Sequence, residues 1–480
     1  MKTLSINELN NKATAPVRTK IIVKLRYFTI FPNIFETYFK LYILDYLIKF
    51  CAENEMKTIL RSNFLNPVNH DKCDFLCDYC LTIDEQGKIA SLEPYSEKLT
   101  GNNDRIVDLS NSVITPGFID LHSHLPQYSA IGIGKGALLP WLSNYIIPLE
   151  SKFSNEQFAH EQSVAFFNEA LSFGTTTIVT YCSIHRHATS IAFETASDIG
   201  IRAFIGNSLI DLPNEAGYFS SLETIKSDID FLVNKHHLTN SEKLQYIVTP
   251  RYAGSCTKEL MSYSANFAKS NDLFIQTHLA ENKSELELMK KLHPEFDNYT
   301  GIYDKTGLLT DKTLLAHCIY LDQTELAMIQ NARSIVCHCP TSNRYLSSGI
   351  MPLVDYQKMG LRIGLGTDVA AGYSLSMLNE AKEAIETSKS YDISKDENGN
   401  DISAANAFYL STKGAAENLN IADKVGTIHI GLDADLAIFD LDIKQLSANS
   451  EDILRSLIYK KFNQSAKAVL IAGKRVYGSL

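Results

Sequence analysis

From Ile106 onward the chain repeats one rhythm: a short apolar, β-rich run, a loop, then a longer amphipathic stretch. Eight such runs follow one another: "VITPGFIDLHSH", "TTTIVTYCS", "IRAFIGNSL", "LQYIVTPRY", "LFIQTHLAEN", "TLLAHCIYL", "SIVCHCPTS" and "LRIGLGTD". Stretches such as "SNEQFAHEQSVAFFNEALSFG" separate them, with apolar residues at helical spacing. Strands alternating with helices make an α/β fold, and eight of them is the count of a (β/α)8 barrel. A doubly wound open sheet is the competing arrangement. The placement of the histidines argues against it.

Side chains alternate along a strand, so in "FIDLHSH" Asp120, His122 and His124 face one side. Ile119, Leu121 and Ser123 face the other. Two imidazoles with a carboxylate behind them are what a metal site asks of a single strand. A lone His-x-His also ends ordinary strands, so the later runs decide the matter. "LFIQTHLAEN" ends near His278 with Glu281 shortly after it, "TLLAHCIYL" carries His317, and "LRIGLGTD" ends in Asp368. Each stands at the C-terminal end of its run, the face where barrel enzymes place their chemistry. Imidazoles and a carboxylate supply Zn²⁺ with N and O donors and leave a position for water. Unrelated core polar groups at matching strand ends would each need a buried partner of their own.

"PGFIDLHSH", "THLAEN", "AHC", "CPTSN" and "GLGTD" together resemble the amidohydrolase superfamily of metal-dependent hydrolases. "GTIHIGLDADLAIFD" resembles that superfamily's return into its β-sandwich. "HSHLPQYS", "PWLSNYIIPLE", "VTPRYAGSCTKEL", "NYTGIYDKTGLLTDKTLLAHC", "SNRYLSSG" and "GTDVAAGYSLSML" are similar to its single-zinc branch that deaminates guanine. The similarity runs from about Lys57 to the C-terminus.

The resemblance implies a (β/α)8 barrel flanked by a small β-sandwich, and hydrolysis of guanine to xanthine and ammonia. It implies one Zn²⁺ held by His122, His124, His278 and Asp368. His317 either ligates it or sits beside it and polarises water or substrate. "LQYIVTPRY" lacks the Lys that bridges two metals in other members, so one ion is expected. Asp368 accepts a proton from water, Glu281 moves protons to ring nitrogen and leaving ammonia, and His317 stabilises charge near the new oxygen. Arg251 is implied to donate to the guanine carbonyl, and Gln127 can donate and accept toward the ring edge. Tyr252 is either an aromatic wall or ordinary packing at the mouth. With His124, His278, Glu281 and Asp368 these complete the expected substrate shell. Pro126 and Ala371 depart from residues common in other members, with consequences expected only for loop shape and rate. Two alternatives stand beside this reading. One is an aminohydrolase of the same fold acting on a different purine, pyrimidine or triazine. The other is a non-catalytic assembly protein, against which the full ligand set and Glu281 speak.

The expected division is an N-terminal extension (1–55), a first part of the β-sandwich (56–115), the barrel (116–422) and the second part of the sandwich (423–480). "RYFTIFPNIFETYFKLYILDYLIKF" in the extension is aromatic but broken by Pro32, Glu36, Lys40, Asp45 and Lys49, which oppose a membrane helix. A helical extension packed on the body is expected, or a start at Met56. The 480 residues, 45% apolar, suffice for two domains. A net charge of −10 with dispersed Lys and Arg offers nucleic acid no surface. Nine cysteines without a secretory signal point to a reducing cytoplasm. A homodimer acting on a small purine, free of nucleic acid and membrane, is the expected assembly.

Three further signals lead elsewhere. "CDFLCDYC" (Cys73, Cys77, Cys80) has an iron–sulfur spacing but precedes the barrel that such a motif should open. "HRH" (His185, His187) has no third ligand nearby, and "CHC" (Cys337, Cys339) suits the buried end of a strand. The Pro-Cys-x-x-Cys that cytidine-deaminase folds need beside a His-x-Glu is missing from the sequence.

Overall fold

A computed structural model of the chain describes residues 58–97, 105–134, 136–214, 216–396, 399, 401–443 and 449–480. Residues 1–57, with the expected extension and the alternative start at Met56, lie outside the described residues. Four strands come first: β1 (Thr58–Asn69), β2 (Lys72–Ile83), β3 (Ile89–Pro94) and β4 (Arg105–Pro116). The β1–β2 turn forms because the Asn69 side chain accepts the backbone N–H of Asp71 at 2.9 Å. Eight short strands then alternate with helices: β5 (Phe118–His124), β6 (Thr175–Cys182), β7 (Arg202–Asn207), β8 (Leu244–Tyr246), β9 (Ile275–Leu279), β10 (Thr313–His317), β11 (Ile335–His338) and β12 (Arg362–Leu365). Then come β13 (Leu436–Asp440), β14 (Ala468–Ile471) and β15 (Lys474–Gly478).

Strands from both flanks share one seven-stranded sheet in the order β15-β14-β13-β4-β1-β2-β3. β4 joins the halves, running parallel to β1 and antiparallel to β13. Leu60, Phe64, Leu81, Ile114, Leu436 and Ile438 form part of its buried cluster.

Between the flanks, β5-β6-β7-β8 form one four-stranded parallel sheet and β9 to β12 another. The architecture is therefore α/β with parallel sheets. Every residue of β5, β6 and β7 is buried, as parallel strands covered on both faces must be. The intervening helices start at residues suited to capping. Asn155, Ser221, Thr257, Asp322 and Ser376 each accept a backbone N–H of their first turn.

Backbone bonds also cross from one parallel sheet to the other. Val248 donates to Phe274 O and Gln276 to Val248 O, each at 2.9 Å. Beyond β12, Asp368 donates to His122 O at 2.8 Å, and His124 donates to Val369 O at 3.1 Å. Glycine permits this second approach. A Cβ at Gly364 would lie 2.3 Å from Leu121 Cδ1, and one at Gly366 would lie 2.7 Å from His122 Cβ. "GLGTD" thus carries small residues where β12 meets β5.

The iron–sulfur spacing dissolves in this frame, while residues 26–50, which raised the membrane helix, lie outside the described residues. Cys73 lies opposite Pro67 and Cys80 opposite Arg61 on the long strand β2. At ~3.3 Å per residue the strand spreads these sulfurs over about 23 Å instead of gathering them. No helix among the described residues is long and apolar enough to cross a membrane.

Arg202 ties β7 to the segment before β13. Its buried guanidinium reaches Asp433 at 3.0 Å and Asp435 at 3.4 Å. Removing one side of a buried pair leaves the other charge uncompensated. Arg202→Ala should therefore cost about 3 to 5 kcal/mol of stability, read from the urea midpoint. An unchanged midpoint would show that water reaches the two aspartates.

Candidate active site

The site is built where β5, β9, β10 and β12 end. On β5, Asp120 is buried and accepts three hydrogen bonds. They come from His122 N (3.1 Å), Thr367 N (3.0 Å) and the Thr367 hydroxyl (2.6 Å). Burial pushes its carboxyl up to about 6, with the Thr367 bonds pulling the other way. Its role is to hold β5 against the turn that carries Asp368.

His122 and His124 project from the same strand and meet Asp368. Nε2 of each lies 3.2 Å from Asp368 Oδ1. His278 enters from β9, its Nε2 3.2 Å from that of His124. Its Nδ1 is 2.7 Å from Arg251 O, and a carbonyl can only accept, so Nδ1 carries the proton. Nε2 of His278 is then a bare lone pair. His317 is set the same way: its Nδ1 lies 2.9 Å from Asn343 Oδ1, leaving Nε2 toward the cluster. That Nε2 is 3.4 Å from Glu281 Oε2 and 3.7 Å from Asp368 Oδ2.

His122, His278, His317 and Asp368 each offer one atom to a common point, all within 4.8 Å of one another. A cation fits them on the molecule's own terms. Nε2 of His122 and of His317 are buried without a hydrogen-bond partner, which an apolar interior does not tolerate unless something takes the lone pairs. Burial pushes His124 down to about 4 and holds His278 well below its usual value, so both rings are neutral and ready to ligate. The donor set is therefore a candidate metal site in which His317 stands with His122, His278 and Asp368, while His124 adjoins it.

Two carboxyls at this point are driven in opposite directions. Burial, reinforced by the charge of Asp368, raises Glu281 well above the ordinary carboxylate range. Burial would raise Asp368 as well, but His122 and His124 beside it hold it well below that range. The Ser342 hydroxyl donates to Asp368 Oδ2 at 2.6 Å. The backbone at these strand ends is strained: Ala280, His317 and Asp368 have φ of +51°, +71° and +49°.

Beside the donors opens a cavity walled by Leu138, Leu139, Trp141, Leu142 and Leu346. Gln127, Arg251 and Tyr252 line it together with His124, His278, Glu281 and Asp368. The fold thus brings every residue singled out from the strand ends to one place, and Ala371 lines the same cavity. His185 and His187 stay apart. They stack on each other, and His187 Nε2 lies 3.1 Å from the carbonyls of Phe153 and Ser154. Cys337 packs inside the strand layer, its thiol toward Leu121 O.

Spacing arguments assign nothing to Glu150, Glu285, Ser342 or Asn343, although the last three lie in or beside the strand-end motifs. Glu150 accepts from Gln127 Nε2 at 2.9 Å and from Arg251 Nη1 at 2.7 Å. Glu285 accepts the N–H of Glu281 at 2.8 Å and closes the capping box of the following helix. The only local signal for Glu150 is a carboxylate closing an otherwise apolar stretch.

Comparison with known proteins places this geometry in context. The pattern of the amidohydrolase family matches residues 113–476. Guanine deaminase of Rattus norvegicus is 34% identical over 447 residues, covering 89% of this chain and 98% of the relative. Guanine deaminase of Escherichia coli (strain K12) is 30% identical over 381 residues, covering 78% and 85% respectively. The crystal structure of guanine deaminase from C. acetobutylicum with guanine bound superposes with a TM-score of 0.82 at 30% identity, covering 88% of this chain and all of that one (100%).

The Asn343 contact yields a test. Asn343→Ala removes the acceptor that sets the His317 ring, and such outer partners are worth about 10- to 100-fold in metal affinity. Competition with a chromogenic chelator should show a loss of that size. Undiminished affinity would mean that the ring is oriented without Asn343.

Proposed function

The chain belongs to the amidohydrolase family, and from that premise we propose that it hydrolyses guanine to xanthine and ammonia with one zinc ion. The observation that carries the reading is the junction of two features. Oppositely shifted carboxyls, Glu281 and Asp368, stand beside buried imidazoles. Next to them lies an apolar slot whose polar groups include Gln127 and Arg251. We read the two parallel sheets as one (β/α)8 barrel over 116–422, supported by the backbone bonds at Val248 and at His122. The seven-stranded sheet is read as the β-sandwich, with 56–115 and 423–480 as its two parts.

His122, His124, His278 and Asp368 would hold the ion, with His317 as a further donor, a nitrogen and oxygen set that suits zinc. When bound, zinc supplies hydroxide at neutral pH by lowering the pKa of water to about 7. Asp368, held ionised, accepts the proton that the attacking water gives up. Glu281, held protonated, gives its proton to a ring nitrogen as the amino-bearing carbon is attacked. Its carboxylate then takes the proton of the newly added hydroxyl to the departing amine, and the proton held by Asp368 returns to Glu281. His317 Nε2, a bare lone pair close to Glu281, serves as the further donor to the ion. Arg251 donates to the guanine carbonyl, and a planar fork does this as an ammonium would not. Tyr252 forms part of the wall against the ring.

Ammonia release from a panel of bases tests the assignment. The zinc-loaded protein should turn over guanine with adenine and cytosine far slower, and adenine turned over as fast as guanine would sink it. Glu281→Gln should keep its zinc yet lose about 10²- to 10⁴-fold in kcat, since an amide shuttles no proton. Near-normal turnover in that variant would place the proton carrier elsewhere.

A further inference from the structure

Glu150 reaches the site by an irregularity in its helix. Leu138–Trp141 and Ile147–Glu150 are α-helical, while Leu142–Ile146 between them form a π turn. In an unbroken α-helix the residue one turn beyond Trp141 would be Tyr145. Here Tyr145 is 38% exposed and Ile146 is buried. The extra residue rotates the last helical turn, and Glu150 faces inward at 1% exposure. A carboxylate in such a place must be paired, and both its oxygens are: Oε1 to Gln127 Nε2, Oε2 to Arg251 Nη1.

The pairing has a chemical consequence for the substrate face. A carboxylate only accepts, so Gln127 must turn its NH₂ toward Glu150. The amide oxygen is the end left for the cavity. The same carboxylate engages one arm of the Arg251 fork and leaves the remaining N–H groups as donors. We propose that Glu150 is a positioning residue that sets the polarity of the pocket. It presents an acceptor from Gln127 and donors from Arg251, and so selects a base edge carrying a ring N–H beside a carbonyl oxygen. This rests on the guanine reading of the same site. Glu150 itself touches no substrate. It acts through Gln127, whose amide would otherwise be free to flip, and through Arg251, whose fork it holds in place.

The test is Glu150→Gln in the full-length, zinc-loaded protein, with two ligands. Guanine carries both the ring N–H and the carbonyl. 2-Aminopurine carries neither and is measured as a competitive inhibitor. An amide at position 150 can offer either end, so Gln127 loses its enforced direction. The KM for guanine should rise about tenfold or more, the scale of a hydrogen bond to a charged group, with kcat falling less. The inhibition constant of 2-aminopurine should stay within about twofold, because the groups concerned do not read it. Glu150→Asp, still acceptor-only, should recover part of the preference. If guanine and 2-aminopurine weaken together, the role is merely structural and the proposal falls. It falls equally if neither changes. Should Glu150→Gln fail to fold, Gln127→Leu takes its place, with the same selective loss of guanine required and a parallel loss overturning the idea. Parent enzyme that releases no ammonia from guanine overturns the reading of the site and this inference with it. Active parent with an indifferent Glu150→Gln overturns the inference alone.

Discussion

Bare imidazole nitrogens buried around one point are the constraint on which the rest of this molecule depends. A buried polar atom without a partner costs about 1 to 3 kcal/mol, so Nε2 of His122 and of His317 mark where a cation fits. The surrounding structure keeps those lone pairs aimed inward. Arg251 O binds the far side of His278, Asn343 the far side of His317, and Ser342 the far oxygen of Asp368. The backbone adds its own cost, about 1 to 3 kcal/mol at each non-glycine residue held at positive φ. Ala280, His317 and Asp368 are such residues. They sit where buried parallel strands end, so packing on all sides overrides the local preference.

The same shell that strains the rings separates the carboxyls. Burial acts alike on Glu281 and Asp368, raising both. Their neighbours make the difference: Asp368 faces two imidazoles, whereas Glu281 faces the charge of Asp368. One group is thereby held protonated and the other ionised within the same few ångströms. Glu285 holds the backbone of Glu281 at the start of the next helix, so the acid stands on an ordered turn.

Beside the cavity, a carboxylate from an irregular helix meets an arginine from the loop after β8 and a glutamine from the turn after β5. The segment before β13 is joined to β7 by a different buried charge set, Arg202 with Asp433 and Asp435. Both sets use a guanidinium buried among carboxylates, one facing a cavity and the other facing a second sheet. The chemistry is similar, and the surroundings give each its use.

Much of this could be read from local pattern. The alternation of β-rich runs with amphipathic stretches reports parallel strands because a chain buried on both faces must be apolar throughout. The period of two in "FIDLHSH" places His122 and His124 together for a reason contained in the strand itself. "GLGTD" carries glycine where β12 closes on His122, a trace of tertiary contact left in the sequence. Glu150 and Arg251 left no such trace. They lie 101 residues apart, and a π turn that no periodicity announces swings the carboxylate inward. Arg202 and Asp433 are separated by 231 residues. What the sequence determined alone was the type of each element and the donors at its ends, since both follow from local geometry. Which bare nitrogens face one another, which carboxyl keeps its proton, and which way the Gln127 amide points were decided by tertiary structure. Those properties depend on burial and on partners that only the folded chain brings within hydrogen-bond reach.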